Sequence, residues 1–242
     1  RSRTNRCMHP SFLIAASRPP RILTAVLLVV LLAVSAMPSA ARARAATPPS
    51  LVDSTQTYYA AQDAAALRRM LERAESRELD LLIRYRLYPL TQDAALLDGL
   101  PSDLQAPTAR ELALLSGLWG YRVMTTSVLH VPKYGLRAAR LIEAARLLDP
   151  DDPFVLLIEG QTLLFSPPLM GRDREGALAR FRRLCDVLPR APDRGVSMTE
   201  ARLWVWYALT KLDRAGPAAA LKAELLATRP PPLYRTFLLD PP

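Results

Sequence analysis

The chain has 242 residues, half of them apolar and 23% charged, with 22 prolines and two cysteines, which suits one domain or two small ones and excludes both intrinsic disorder and a disulfide-stapled scaffold. Lys and Arg number 32 against 23 Asp and Glu, a formal charge of +9. Seven of the arginines (Arg1, Arg3, Arg6, Arg18, Arg21, Arg42, Arg44) fall within residues 1–45, which hold no acid, leaving 25 basic against 23 acidic side chains in the remainder; a near-neutral body has no net surplus for counterion-driven binding to phosphate, so nucleic acid is not an expected partner.

The first element is an address. Ile22 to Val34 is thirteen residues of Ile, Leu, Val and Ala broken only by Thr24, with Arg18 and Arg21 before it and the small residues Ser35, Ala36, Ser39, Ala40 and Ala41 after it. A basic segment, an apolar run and a small-residue zone form the pattern of a cleaved secretory signal, and the run is short of the roughly 20 apolar residues that span a bilayer. Residues 1–45 are therefore expected to be a signal peptide, with the mature chain starting between Ala41 and Ala46. Pro19 and Pro20 separate Arg18 from Arg21, which points to the general secretory route and the periplasm. An uncleaved segment would instead anchor the protein in the inner membrane, and membrane contact is expected through this segment alone.

The body reads as helices throughout, with no convincing strand. Periodicity near 3.6 residues and the start and stop signals place them at 54–75, 77–87, 108–127, 134–148, 153–165, 174–188, 198–213 and 217–228, with a shorter one at 92–99. Thr108 with Glu111 and Ser197 with Glu200 have capping-box spacing. Asp152 before Pro153 reads as an N-cap with proline at the first helical position. Prolines 150, 167, 168, 189, 192 and 230–232 end helices because proline lacks the amide donor and clashes with the preceding turn. The expected organisation is 46–107 as a helical cap or degenerate repeat and 108–242 as repeats. Cys185, the one cysteine after the leader, shares a helical stripe with Leu178, Phe181, Leu184 and Leu188 and reads as a small buried core residue.

A longer period runs through the second half. Ala138, Ile142, Ala145 and Pro150 recur as Ala177, Phe181, Leu184 and Pro189, and again as Ala220, Glu224, Ala227 and Pro232, each with spacings of 4, 3 and 5. Upstream of each quartet stands a small residue, Gly117, Gly160 or Ala208. This resembles the tetratricopeptide repeat, a 34-residue helix-turn-helix unit, over about residues 108–235. The match departs from the family at Leu184 and Glu224, and the turns after Gly117 and Gly160 are nine and five residues longer than the repeat has. The resemblance implies an all-α fold of antiparallel helix pairs stacked as a short right-handed solenoid. It also implies a concave groove lined by Phe154, Leu157, Gln161, Leu164 and Phe165 from one unit and Arg202, Val205, Leu209 and Leu212 from the next. That lining is apolar, and apolar grooves accept a partner's helix or extended segment. The N-terminal helices, or the tail around Tyr234, Phe237 and Leu238, could equally fold back and fill it. The long turn Leu164–Gly176 looks like a loop of exported bacterial tetratricopeptide proteins, with Asp173 capping the following helix and Gly171 supplying a tight entry.

Catalytic signatures are thin. His130 is the only histidine after the leader, so a two-histidine metal site is impossible, and no phosphate-binding glycine loop or nucleophile elbow occurs. Ser127 and His130, three residues apart, would form a nucleophile and base only with an orienting carboxylate and an oxyanion hole. Arg84 and Arg86 around Tyr85, and Arg180, Arg182 and Arg183 around Phe181, read as solvated faces. The expectation is a non-enzymatic periplasmic adaptor without cofactor or metal, which holds a partner protein or apolar ligand. The alternatives are a component that docks onto a transporter's solute-binding protein, and a hydrolase using Ser127 and His130.

Overall fold

The computed structural model describes residues 50–168, 171–191 and 195–241; the signal segment, its cleavage zone and the N-terminal start of the expected cap lie outside them. Every regular element among the described residues is helical. Helix α1 (Leu51–Ala60) starts where Ser50 Oγ accepts from Asp53 N at 3.1 Å, and α2 (Ala64–Leu71) where Asp63 accepts from Ala66 N at 2.9 Å. The single helix expected over 54–75 is thus two. The break has no Gly or Pro to announce it: Gln62 takes φ 61°, and the Asp63 carboxylate offsets the strain by satisfying an orphan amide of the next turn.

Helix α3 (Arg77–Thr91) carries Pro89 near its end and stops at Gln92, φ 53°. It outruns the expected 77–87, and the 92–99 segment shrinks to one 3₁₀ turn, Ala94–Leu97. Helix α4 (Ala109–Thr125) opens on the full capping box: Thr108 Oγ1 accepts from Glu111 N at 3.1 Å, and Glu111 Oε2 accepts from Thr108 N at 2.9 Å. Helix α5 (Val131–Leu148) begins three residues before its expected start, and α6 (Pro153–Phe165) begins on Asp152, whose carboxylate accepts from Phe154 N and Val155 N at 2.8 and 3.3 Å. Helix α7 (Arg174–Val187) is capped by Asp173 through Gly176 N at 2.8 Å after Gly171 at φ +90°, as the turn's composition indicated. Helices α8 (Met198–Lys211) and α9 (Ala215–Ala227) follow, and α10 (Pro232–Leu239) turns the expected tail into a further helix.

Residues Pro48–Pro242 cluster into one compact unit. Within it α4 packs along α5, α6 along α7, and α8 along α9, while α7 also lies on α8, and α4 on α6. Close approach depends on two glycines. A Cβ at Gly160 would stand 2.4 Å from the Phe181 ring of α7, and one at Gly117 would stand 2.7 Å from the Tyr85 ring and 3.3 Å from Ile158. Gly160 therefore lets α6 meet its hairpin partner, whereas Gly117 admits α3 and α6 instead of α5. Phe181, Leu184 and Ala177 are fully enclosed in that seam; burial stabilises a side chain such as Phe181 by about 1.5–3 kcal/mol.

Candidate functional site

Phe154, Leu157, Leu164 and Leu209 are buried, with relative exposures of 0, 0, 5 and 4%, so these four do not line an open groove. Gln161, Arg202, Val205 and Leu212 are half-buried, and Phe165 alone is substantially open, at 52%. The chain fills its own hollow from both ends. From the N-terminal side α3 inserts Tyr85, whose ring stands edge-on to Phe154 at 6.3 Å and whose hydroxyl donates to Gln161 Oε1 at 2.7 Å. From the C-terminal side α10 brings the Phe237 ring to 5.5 Å from Trp204 and 5.1 Å from Tyr207. Apolar faces of that size are unstable bare, and here the covering elements belong to the same chain.

The centre of this filled hollow is a buried ion pair. Arg86 of α3 is 1% exposed and Glu200 of α8 is 2%. Arg86 Nη1 donates to Glu200 Oε1 at 2.5 Å, and Nη2 donates to Oε2 at 3.0 Å and to the Gly195 carbonyl at 2.8 Å. The guanidinium also lies 4.5 Å from the centre of the Tyr59 ring and 5.3 Å from that of Phe154. Burial works against its charge, but the attraction and hydrogen bonds of Glu200 outweigh it and hold the Arg86 pKa above its ordinary value. Burial pushes the Tyr59 phenol up to about 12 against the opposing pull of Arg86. Tyr234 of α10 completes the cluster: its hydroxyl donates to Glu200 Oε2 at 3.4 Å and accepts from Gln56 Nε2 of α1. Arg86 Nε and Gln56 Oε1 are enclosed without a hydrogen-bond partner.

Two expectations are corrected at this point. Arg86 does not belong to a solvated face, and Ser197 with Glu200 form only half a capping box. Ser197 Oγ accepts from Glu200 N at 3.1 Å, but the Glu200 carboxylate turns inward to Arg86 because a buried cation left unpaired would cost more than a frayed first turn. The sequence signal for Arg86 was the run from Leu81 to Tyr88, apolar on every side of the helix except at Arg84 and Arg86. Arg84 escapes to the edge, where it meets Asp80 at 3.0 Å; Arg86 cannot.

The remaining candidates are peripheral. Ser127 Oγ and His130 Nδ1 stand 3.0 Å apart, but the pair is exposed, it sits at the start of α5, and no carboxylate among the described residues contacts the His130 ring, which stacks on Tyr134 at 5.9 Å. Cys185 is half-buried rather than enclosed, and burial pushes its thiol up to about 11, away from nucleophilic reactivity. Glu159 pairs with Arg180 at 2.6 Å across the α6–α7 contact, while Glu143 faces solvent and meets Arg146 at 3.0 Å. Shallow clefts of about 260 Å³ and about 500 Å³ lie beside Met70 and Trp206. Among the described residues no helix is long and apolar enough to cross a membrane, and no three His, Cys, Asp or Glu residues converge as metal ligands. No protein-family model, curated protein or solved structure matches the chain.

Proposed function

We propose that the protein is an exported, non-enzymatic adaptor of the tetratricopeptide type that grips a partner protein or an apolar ligand. Supporting the repeat reading are the hairpins α4–α5, α6–α7 and α8–α9, packed in series with Gly160 at the helix crossing. Export is supported by the apolar run Ile22–Val34 with its basic flank. With the inner groove occupied by α3, the binding face moves to its rim. The observation that carries this is Phe165, half exposed at the end of α6, with its ring 6.1 Å from Trp204 and 6.0 Å from Tyr207. Trp204 and Phe237 are themselves only half-buried, so an aromatic seam reaches the surface there. Aromatic residues that become buried at the centre of a contact dominate the energetics of protein association.

A photocrosslinking residue placed at 165 should capture one discrete species in the cell envelope, and a second placed at exposed Ala139 on α5 should not. Phe165→Arg should abolish capture by a reporter at neighbouring Leu163 while leaving the thermal unfolding of the purified protein unchanged. Identical adducts at 165 and 139 would refute the rim as a binding face.

A further inference from the structure

The end of α4 and the turn into α5, a connection nine residues longer than the tetratricopeptide pattern accommodates, project three of the most exposed apolar side chains among the described residues: Met124 on the last turn of α4, and Val128 and Leu129 in the turn, at 82, 85 and 88% exposure, with Leu136 at 55% on the first turns of α5. Water-facing side chains of that size are a standing cost for a monomer and mark a contact surface. Their setting is cationic. From Leu112 to Ile142 the chain contains Arg122, Lys133, Arg137 and Arg140 and not one Asp or Glu. Arg122 is matched by Asp98 at 3.0 Å, on the loop that also carries Asp103. Lys133, Arg137 and Arg140 have no ion-pair partner among the described residues. Lys133 and Arg137 lie instead over aromatic rings, 6.0 Å from that of Tyr134 and 4.8 Å from that of Trp119. Behind the tip His130 stacks on Tyr134 at 5.9 Å, and Tyr134 packs on Trp119 at 5.1 Å. Trp119 is in turn held by its Nε1 donating to the Pro101 carbonyl at 3.1 Å, so the apolar tip stands on a braced aromatic column.

An apolar wedge on a rigid support, ringed by a collar of uncompensated cations, matches the layers of an anionic bilayer surface: acyl chains for the tip and headgroup phosphates for the collar. We propose that the α4–α5 tip inserts into the interfacial region of an anionic lipid membrane, seated by Val128 and Leu129 and steered by Lys133, Arg137 and Arg140. The α5 helix then lies against the headgroups. This assignment stands independently of the partner rim, since it uses no residue of that face.

The test is local, so that the apolar leader cannot mimic it. In the full chain carrying Cys7→Ser and Cys185→Ser, Val128→Cys is labelled with an environment-sensitive fluorophore and mixed with phosphatidylglycerol–phosphatidylcholine vesicles or with phosphatidylcholine vesicles alone. Emission should shift to the blue and become quenchable by a lipid-borne quencher on the anionic vesicles only. Lys133→Glu with Arg140→Glu should weaken that response by about tenfold or more, and added salt should weaken it in parallel. A label that stays water-like while the protein is bound to vesicles overturns the proposal, as does an equal response on both vesicle types. A blue shift that grows with protein concentration without lipid overturns it too, and assigns the tip to contact with protein.

Discussion

Arg86→Met removes one half of the buried pair and leaves the other half intact in a site with 2% exposure. The Glu200 carboxylate then keeps a single contact, Tyr234 Oη at 3.4 Å, and the Gly195 carbonyl loses its donor. Methionine occupies much of the vacated volume, so the penalty is electrostatic rather than one of packing. Breaking a buried pair in this way costs about 3–5 kcal/mol, a large share of the 5–15 kcal/mol that holds a domain together. At about 2–4 °C per kcal/mol for a domain of this size, the melting temperature should fall by roughly 6–20 °C. Glu200→Gln strands the opposite charge and should cost a comparable amount. The double variant Arg86→Met with Glu200→Leu leaves neither ion behind and should be less destabilised than either single change. Guanidinium unfolding followed through Trp204 and Trp206, both packed against α10, measures all three. A loss below about 1 kcal/mol in Arg86→Met at unchanged denaturant slope, or a double variant as unstable as the two singles added, would refute the view that this pair locks α3 into the hollow.

Gly160→Ala should destabilise by about 1–3 kcal/mol, because its methyl would meet the fully enclosed Phe181 ring, itself stacked on Trp204 at 5.6 Å; thermal unfolding reads this directly, and an unchanged melting temperature would mean that α6 and α7 can separate freely. Glu111 accepts from Arg77 Nε and Nη2 at 2.9 and 2.8 Å, and these bonds, against the opposing effect of burial and with the help of the Thr108 amide, hold its carboxyl below the ordinary value. A lowered folded pKa means that the contribution is complete above the unfolded value of about 4.3 and is lost as pH falls through the folded one. Arg77→Met should accordingly flatten the acid limb of stability below about pH 4.3, as read by unfolding at a series of pH values; an unaltered limb would refute it. Cys185, with its thiol near 11, should react with a disulfide reagent at pH 8 on the order of a hundredfold more slowly than an ordinary cysteine, measured in Cys7→Ser protein; fast reaction would show that the α7–α8 contact opens readily.

The helices that sequence reading placed best are those whose boundaries are written in local chemistry. Thr108, Asp152 and Asp173 each cap a first turn through their own side chains, a contest decided within four residues of chain. The break at Gln62 was illegible for the complementary reason: nothing at that position favours a left-handed backbone, and only the packing of α1 and α2 against α3 requires one. The same division separates the stacking pattern from the groove. Of the recurring positions, Gly160 does mark a close helix approach, against Phe181, whereas Ala220, Glu224 and Ala227 of the third quartet are exposed. The recurring positions carry no information about which distant segment covers the remaining face.

That information resided in two residues 114 positions apart, each with an adequate local explanation. Arg86 reads as one more surface arginine in a chain with many, and Glu200 as the third residue of a capping box. Either explanation suffices alone, and only their pairing shows that both are wrong. Within Leu81–Tyr88 only Arg84 and Arg86 are charged; Arg84 reaches Asp80 at the edge, but Arg86 has no route to water, so its partner must come to it. The acid that leaves its own cap to do so determines which end of the molecule is folded shut. The hollow is therefore closed by specific electrostatics as well as by apolar burial, since α3 could not occupy it unless Glu200 were there to accept Arg86. Ligand access along Phe154 and Leu157 would require this ion pair to break first, an opening cost of the same few kcal/mol as the Arg86→Met substitution. Occupancy at the open rim of Phe165 carries no such cost, which is the energetic reason to look for the partner there.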